Sequence, residues 1–365
     1  MNGCKSLETG TTHGAPNPQP LVLSGHTRTV YSIGFLPDSN QFVSGSVDGT
    51  VRTWGTTQAR EVRSPIDCRD SVSTMAVSND GRWIATSGEK WRVTLWDATT
   101  HQKVGESANA GVMECLSFSN DVTRIVSGCG DTTIIVWSIP TCERFAGPFR
   151  GHIEAVTSVV FSPEGNKLAS TDGGDIRIWD SLSGTRSLTM IDQDVRSLVW
   201  ASAPNDGVIY AACADRIRCF DPSTGATYLE WTAHALIITS IVLSRDGQLI
   251  ASSSNYGKTV RLWNTATQQE CAPVLEHASY VRCVAISPNG THVVSGGDDH
   301  SVYIWPIQAD LARVDEMASR FSMVRGVRCG IQVVERCSKA TVAVDDDHHP
   351  ESTTTSTSLQ DVDTE

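Results

Sequence analysis

Histidine, serine and aspartate recur in this chain at spacings that could support chemistry. The stretches 43–55 (VSGSVDGTVRTWG) and 293–305 (VVSGGDDHSVYIW) carry Ser, Asp and Trp in nearly the same order, and a histidine precedes each of these tryptophans by 28 residues. Such residues could form a nucleophile with its general base, or a metal centre if the histidines of different stretches converged. Two copies 250 residues apart instead favour a repeated structural element.

Other signatures of catalysis or metal binding are absent from the sequence. There is no His-Glu-x-x-His, no Gly-x-Ser-x-Gly, no phosphate-binding Gly-x-x-x-x-Gly-Lys-Ser/Thr loop and no Cys-x-x-Cys pair among the eleven cysteines. The acidic stretches 172–175 and 298–300 coincide with turn positions of the repeat, so a turn is favoured over a calcium site. We therefore predict no catalytic residue, no cofactor and no metal ligand.

An aromatic residue recurs every 41 to 43 residues along most of the chain. A fixed period in this range is typical of architectures in which each repeat buries its faces only against its neighbours. The spacing predicts seven structural units. Their aromatic positions are Trp54, Trp96, Trp137, Trp179, Phe220, Trp263 and Trp305.

Each unit contains the same succession of strand-like segments. In the first unit an alternating apolar run closed by turn residues (VYSIGFLPDSN) is followed by a run of small residues (QFVSGS) and by a run that ends on the aromatic (TVRTW). Weaker segments such as QKVGE and TRSLTM predict a fourth strand at the outer edge. Radial closure protects the sheet edges of such units. The predicted fold is all-β, a seven-bladed β-propeller of four-stranded antiparallel blades.

Several dipeptides make this pattern specific. Gly25-His26, Gly151-His152, Ala233-His234 and Glu276-His277 each precede a tryptophan by 27 to 29 residues, and two tryptophans are followed by aspartate. In these features residues 21 to 308 resemble WD40 repeats. The resemblance implies that each blade is held by four side chains: a His before the first strand, a Ser or Thr in the second, an Asp in the next turn and the Trp of the third.

We carried this four-residue set onto the chain by spacing. It is complete in the first and seventh blades and partial elsewhere, and the second blade keeps only Thr86 and Trp96. We therefore expect the second and fifth blades to be the least securely held. The remaining predicted members are His26, Ser44, Asp48 and Trp54 in blade 1; Ser127, Asp131 and Trp137 in blade 3; His152, Ser170, Asp172 and Trp179 in blade 4; His234, Ser252 and Trp263 in blade 6; and His277, Ser295, Asp299 and Trp305 in blade 7.

The ends of the chain complete the predicted domain plan. Residues 20–308 form the propeller, and the segment 20–23 is expected to supply the missing fourth strand of the seventh blade. Apolar residues at every third or fourth position predict an amphipathic helix within 309–339. Residues 1–19 and the acidic, Ser/Thr-rich 340–365 are predicted to be disordered.

Charge and composition restrict the partners. The net charge is −12, and residues 345–365 carry seven acidic and no basic residues. This balance argues against nucleic acid and anionic membranes as partners. No signal-peptide-like or membrane-spanning run occurs, so we expect a cytoplasmic or nuclear protein with reduced cysteines.

The resemblance implies a non-catalytic scaffold or adaptor whose monomeric propeller binds proteins or peptides. Its binding surface would be the narrower face, formed by the loops that enter each first strand and the turns that follow each second strand. Large side chains there without a repeat role are candidate anchors, because buried aromatic residues and Arg dominate protein interfaces. These candidates are Arg28, Trp91, Leu236, Ile237, Tyr256 and Tyr280.

Two other functions stay open at this point. Some propellers are enzymes with an active site at the channel mouth, although we find no convincing set of carboxylates, His or Asn outside the repeat pattern. A reader of basic or methylated tails would need acidic and aromatic groups, which Asp70, Glu154, Asp194 and Trp91 could supply. The Trp-Asp-x-Arg/Lys pattern common in ubiquitin-ligase adaptors of the family is absent.

Overall fold

The computed structural model describes residues 19–192, 194–201 and 207–307. Within these ranges the regular elements are β-strands, and the strands form seven antiparallel sheets. The predicted helix within 309–339 and the predicted disorder of 1–18 and 340–365 lie outside the described residues.

Each sheet is one blade, and we number the strands in chain order. Blade 1 contains β2 (Val30–Phe35), β3 (Gln41–Ser46), β4 (Thr50–Gly55), β5 (Arg60–Glu61) and β6 (Ile66–Asp67). Blade 2 contains β7 (Thr74–Val77), β8 (Trp83–Ser87), β9 (Thr94–Asp97) and β10 (Lys103–Glu106). Blade 3 contains β11 (Met113–Phe118), β12 (Arg124–Cys129), β13 (Ile134–Ser138) and β14 (Arg144–Phe149). Blade 4 contains β15 (Ser158–Phe161), β16 (Lys167–Thr171), β17 (Asp175–Asp180) and β18 (Arg186–Ile191).

The remaining three blades include one strand from the start of the chain. Blade 5 contains β19 (Val195–Ala201), β20 (Val208–Cys213), β21 (Arg216–Phe220) and β22 (Thr227–Thr232). Blade 6 contains β23 (Ile238–Leu243), β24 (Leu249–Ser254), β25 (Thr259–Asn264) and β26 (Leu275–Glu276). Blade 7 contains β27 (Val281–Ile286), β28 (His292–Gly297), β29 (Val302–Pro306) and β1 (Leu21–Leu23).

The seven-bladed prediction is confirmed, including the weak outer strands. In six blades the hydrogen-bonded order follows the chain from the innermost strand to the outermost, although in blade 1 the outer position is divided between β5 and β6. Each repeated aromatic residue lies on the third strand, opposite an apolar residue of the second: Trp54 faces Phe42, and Phe220 faces Ile209. Phe220 therefore takes the structural place of tryptophan in blade 5.

The ring is closed by contacts between the first strands of neighbouring blades. β2 contacts β7 on one side and β27 on the other, and the same relation continues through β11, β15, β19 and β23. The two ends of the chain meet in blade 7, where Leu21 pairs with Ile304 and Leu23 with Val302. The prediction that residues 20–23 complete this blade is confirmed.

We call the junction where β1 pairs with β29 in blade 7 the seam. Its apolar core is shared with blade 1. Leu23 is buried in one apolar cluster with Val302 and Ile304 of blade 7 and with Phe42 and Trp54 of blade 1. A three-residue strand makes few hydrogen bonds, so its attachment depends largely on this apolar contact.

We predict that Leu23→Ala lowers the free energy of unfolding by about 2–5 kcal/mol, because it leaves a cavity at the seam. Val22→Ala on the same strand is the matched control. The Val22 side chain is 52% exposed against 5% for Leu23, so its loss should change stability by less than about 0.5 kcal/mol. Urea unfolding of both variants tests this, and equal effects would contradict a seam held by Leu23.

Candidate functional site

A buried hydrogen bond between the third and second strands recurs in the blades. The indole N–H donates to a hydroxyl at 2.7 to 3.0 Å in six blades. A buried indole needs such an acceptor, because leaving its N–H unpaired costs about 1–3 kcal/mol. The six pairs are Trp54 with Ser44, Trp96 with Thr86, Trp137 with Ser127, Trp179 with Ser170, Trp263 with Ser252 and Trp305 with Ser295.

Four blades extend this bond to a histidine. The imidazole Nε2 lies 2.7 Å from the serine Oγ for His26, His152 and His234, and 3.0 Å for His277. Since the serine oxygen already accepts from tryptophan, its single proton is free to be donated to Nε2. The imidazole is then neutral with its proton on Nδ1, which is the atom that faces the turn.

Aspartate completes the set in blades 1 and 4. Nδ1 of His26 lies 2.9 Å from Asp48 Oδ2, and Nδ1 of His152 lies 3.1 Å from Asp172 Oδ2. In both blades the same oxygen accepts the backbone N–H of the residue after the histidine at 3.0 Å. The one-residue deletion in the blade 4 turn therefore leaves Asp172 within reach of its histidine.

In blades 6 and 7 the histidine contacts a side chain other than aspartate. In blade 6 the hydroxyl of Thr259 lies 3.2 Å from Nδ1 of His234. In blade 7 the contact expected between His277 and Asp299 is replaced: Asp299 accepts from the Tyr303 hydroxyl, and the Tyr303 ring packs on the imidazole with centroids 4.4 Å apart. The four-residue set predicted for blade 7 is corrected in this respect.

The other blades lack the histidine. Asp131 of blade 3 accepts the N–H and hydroxyl of Thr133 and so caps the turn, as Asp48 does for Thr50. At the histidine position, 28 residues before the aromatic, blade 2 has Cys68, blade 3 has Asn109 and blade 5 has Asp192. Asp192 pairs with Arg218 at 2.6 Å. That blades 2 and 5 are the least securely held stays a prediction.

Burial determines the charge state of these histidines. Desolvation lowers the pKa of His26 and His152, and it lowers the pKa of His234 and His277 to about 4. The imidazoles are therefore neutral at neutral pH, as their hydrogen-bond roles require. The pKa of Asp48 is lowered to about 2, because hydrogen bonds from Thr50, Thr27 and His26 outweigh the opposing effect of burial.

The serine of each set is sealed from solvent. Ser44, Ser170, Ser252 and Ser295 have no exposed surface, and the indole occupies one face of each hydroxyl. A substrate could not reach these oxygens without opening the blade. Among the described residues, no three or more His, Cys, Asp or Glu side chains are grouped so as to hold a metal ion. Nor does a search of the same residues find a helix long and apolar enough to cross a membrane.

The strand order defines two faces of the propeller. We call upper the face that carries the loops entering each first strand and the turns between second and third strands. The turns between first and second strands, and between third and fourth strands, lie on the lower face. All six candidate anchor residues lie on loops or turns of the upper face.

Of the six candidates, the structure brings Tyr256 and Tyr280 into direct contact. Their ring centroids are 5.8 Å apart in an edge-to-face arrangement, and the side chains are 62% and 39% exposed. Lys258 Nζ lies 5.6 Å from the Tyr280 ring. Tyr31 of blade 1 lies beside them, with the Arg282 guanidinium 5.6 Å from its ring. We call Tyr31, Tyr256 and Tyr280 the tyrosine patch.

Arg282 is held at the patch by a two-pronged ion pair. Its Nε and Nη2 donate to the two carboxylate oxygens of Asp298 at 2.8 and 2.7 Å. This pairing raises the pKa of Arg282 and lowers the pKa of Asp298. A fixed guanidinium between tyrosines limits rotamer freedom, so the patch is organised before any partner arrives.

The other candidates lie elsewhere on the upper face. Trp91 is exposed in the blade 2 turn at a positive φ of 59°, and its carbonyl accepts the N–H of Ala110 in blade 3. Arg28 and Leu236 are exposed, whereas Ile237 is half-buried. Within the described part of the chain, no aromatic contact joins Trp91 to the tyrosine patch.

Sequence reasoning missed Tyr31 and Arg282. Both are the second residue of a first strand, at its upper end. The equivalent repeat positions of the other five blades hold Glu114, Arg196 and Thr239 within the strand and Ser73 and Thr157 just before it. Comparing this position across the repeats would have identified Tyr31 as its single aromatic residue.

Comparisons with known proteins agree with this architecture. A family model described as "WD domain, G-beta repeat" matches residues 18–55, 61–97, 102–138, 143–180, 225–264 and 269–306. The unmatched stretch, 181–224, contains β19 to β21 of blade 5, the blade with Phe220 in place of tryptophan. The structure therefore contains one more blade than the family model finds.

Curated relatives cover most of the chain. "Guanine nucleotide-binding protein subunit beta" of Arabidopsis thaliana is 24% identical over 318 residues, which is 78% of this chain and 82% of that protein. The protein of the same name from Oryza sativa subsp. japonica is 23% identical and covers 81% and 86%. "Anaphase-promoting complex subunit cdc20" of Dictyostelium discoideum is 27% identical and covers 76% and 58%.

The buried histidines predict an acid-sensitive fold. Because the pKa of His234 and His277 falls from 6.5 to about 4 on folding, the unfolded chain binds their protons first as the pH drops. Their contribution is full above about pH 6.5 and is lost toward about pH 4. We expect the free energy of unfolding to fall by about 2 kcal/mol per pH unit between roughly pH 6 and 5 from these two residues.

Urea unfolding at several pH values measures this slope. The variant His234→Asn/His277→Asn is less stable at neutral pH but should have a shallower slope in the same window, and the difference between the two slopes isolates the two histidines. Equal slopes for the wild type and the variant would contradict neutral, buried imidazoles.

Proposed function

Because the chain belongs to the WD domain, G-beta repeat (WD40) family, we propose that it is a non-catalytic scaffold that binds partner proteins through its upper face. The observation that carries this proposal is the tyrosine patch. Three tyrosines from blades 1, 6 and 7 are exposed on the upper face near an arginine held by Asp298. The repeat itself does not require them.

The chemistry of the patch suits a protein partner. Tyrosine offers a large apolar area and a hydrogen-bonding hydroxyl, and it loses little conformational entropy when it is buried. Exposed aromatic residues that become buried on association supply most of the binding energy in many interfaces. The relatives support the same class of function, because their names describe them as subunits of larger assemblies.

The non-catalytic part of the proposal is supported by the sealed serines. The Ser-His-Asp sets of blades 1 and 4 have the residue types of a catalytic triad, but their hydroxyls are buried and accept from tryptophan. A propeller enzyme would need a reactive group that a substrate could reach. A reader of basic tails has less support, because the Lys258 ammonium lies beside Tyr280 and the Asp298 carboxylate is already paired with Arg282.

We also propose a reducing compartment, the cytoplasm or the nucleus. Eight described cysteines are free thiols, and five of them are buried. Burial raises the pKa of Cys68 and Cys283 to about 12, so these thiols stay protonated and unreactive at neutral pH. Fluorescence imaging of a tagged full-length chain tests the location.

Substituting the two contacting tyrosines tests the proposed binding surface. We expect Tyr256→Ser/Tyr280→Ser to reduce the recovery of upper-face partners by about tenfold or more, because the truncation removes the main anchors. The measurement is quantitative affinity purification with mass spectrometry of full-length protein.

Tyr228→Ser is the matched control for this experiment. Tyr228 is also an exposed tyrosine, but it lies on the outer strand β22 rather than on the upper face. It should retain the wild-type partners. A partner list unchanged in the double variant would overturn the assignment of the upper face.

A further inference from the structure

A groove opens on the lower face between blades 3 and 4, on the side opposite the tyrosine patch. Its cavity measures about 470 Å³. The walls come from the turns of residues 121–123 and 164–166, which join first to second strands, and from the ends of β13 and β17. No repeat function requires an opening here.

The floor of the groove is held rigidly across the two blades. Arg124 of blade 3 donates to Ser181 Oγ at 3.2 Å and to the Gly165 carbonyl at 2.9 Å, both in blade 4. Its guanidinium also lies 5.7 Å from the Phe145 ring and 5.3 Å from the Phe161 ring. These contacts fix the groove in one shape, which reduces the entropy lost when a ligand binds.

Two large apolar side chains line the groove and remain exposed to solvent. Phe145 on β14 is 50% exposed, and Leu182 after β17 is 59% exposed. The position of Phe145, one residue after the partner of the third-strand aromatic, holds Val104 in blade 2, Ser187 in blade 4 and the exposed Tyr228 in blade 5. The position of Leu182 holds Thr99, Ser223 and Ala266 in blades 2, 5 and 6.

Phe145 has one structural contact within its blade, with the Arg124 guanidinium, and this contact leaves half of its surface exposed. Smaller or polar residues serve the position of Leu182 in blades 2, 5 and 6, and the turn that presents Leu182 is already held by its N–H bond to Asp180 at 3.2 Å. Exposing two large apolar groups at one groove has a cost in solubility, so such pairs mark interaction sites.

The charge of the groove identifies the kind of ligand. Three exposed carboxylates, those of Asp121, Glu164 and Asp180, line it. Its one lining cation, Arg124, is largely buried, donates to Ser181 and Gly165, and has Nη2 4.0 Å from Asp121 Oδ2. Hydrogen bonds from Ser119 and Thr123 lower the pKa of Asp121, and those from Ser183 and Leu182 lower the pKa of Asp180. The rim is therefore negatively charged at neutral pH.

We propose that this groove binds an extended peptide segment of a partner protein, in which a large apolar side chain lies next to Lys or Arg. The apolar side chain packs between Phe145 and Leu182, and the cation faces Asp121, Glu164 and Asp180. The site is separate from the tyrosine patch in position and opposite in charge preference. A propeller with both sites joins two different partners through its two faces.

A library of short random peptides displayed on phage, selected on full-length protein, tests this proposal. Selected peptides are synthesised, and their affinity is measured by fluorescence anisotropy. We expect enrichment of an aromatic or large aliphatic residue beside Lys or Arg. Phe145→Ser/Leu182→Thr, which installs residues used in other blades, should weaken binding about tenfold or more.

Two further variants make the test specific. Glu164→Gln changes one exposed charge and should weaken binding by a few-fold, with a smaller salt dependence than the wild type. Val104→Ser removes the equivalent exposed residue of blade 2 and should bind like the wild type. Thermal melts establish that each variant is folded, and Glu164→Gln keeps the test decisive if the double variant is not.

Four outcomes would overturn the proposal. They are a library that yields no enriched peptides, enriched peptides that bind the double variant as well as the wild type, enriched peptides with acidic flanks, and sedimentation showing a wild-type dimer that Leu182→Thr abolishes. The last result would assign the groove to a second copy of this chain. None of them bears on the tyrosine patch, whose variants are distinct.

Discussion

Six of the seven blades depend on the need of a buried third-strand indole N–H for an acceptor. Six third-strand tryptophans meet this need with a second-strand hydroxyl, and where a histidine follows, the proton of that hydroxyl sets the imidazole tautomer. Blade 5 lacks this hydrogen bond. With Phe220 and Ala211 at the two positions, donor and acceptor are lost together, so neither position leaves a polar group without its partner.

These side chains and the shared apolar cores stabilise the ring. The loops therefore do not need to contribute to its stability. Neighbouring blades bury their strands against one another, and the short strand β1 closes the last of them. Turns on both faces can then vary without cost to the core. Such variable residues form the tyrosine patch beside the seam and the lower groove between blades 3 and 4.

The sequence predicted those features of the fold that repeat along the chain or depend on neighbouring residues. Blade number, strand order and the role of residues 20–23 follow from spacing and from a missing fourth strand. Other contacts depend on which side chains converge across blades, and spacing does not report this. The Tyr303 hydroxyl donates to the Asp299 carboxylate within one blade, and the Tyr31 ring contacts Arg282 between blades 1 and 7. Phe145 and Leu182 line one groove from two neighbouring blades.

The two proposed surfaces differ in charge, and this difference affects which partners each can bind. Cations accompany the tyrosines on the upper face, whereas carboxylates line the lower groove. Each surface therefore disfavours the partner of the other, since like charges repel. The patch rests on the Arg282–Asp298 ion pair, and the groove rests on the hydrogen bonds of Arg124 to Ser181 and Gly165, so the two sites share no residue through which one could alter the affinity of the other. Binding at the two faces should then be independent, and the protein would act by raising the local concentration of one partner near the other.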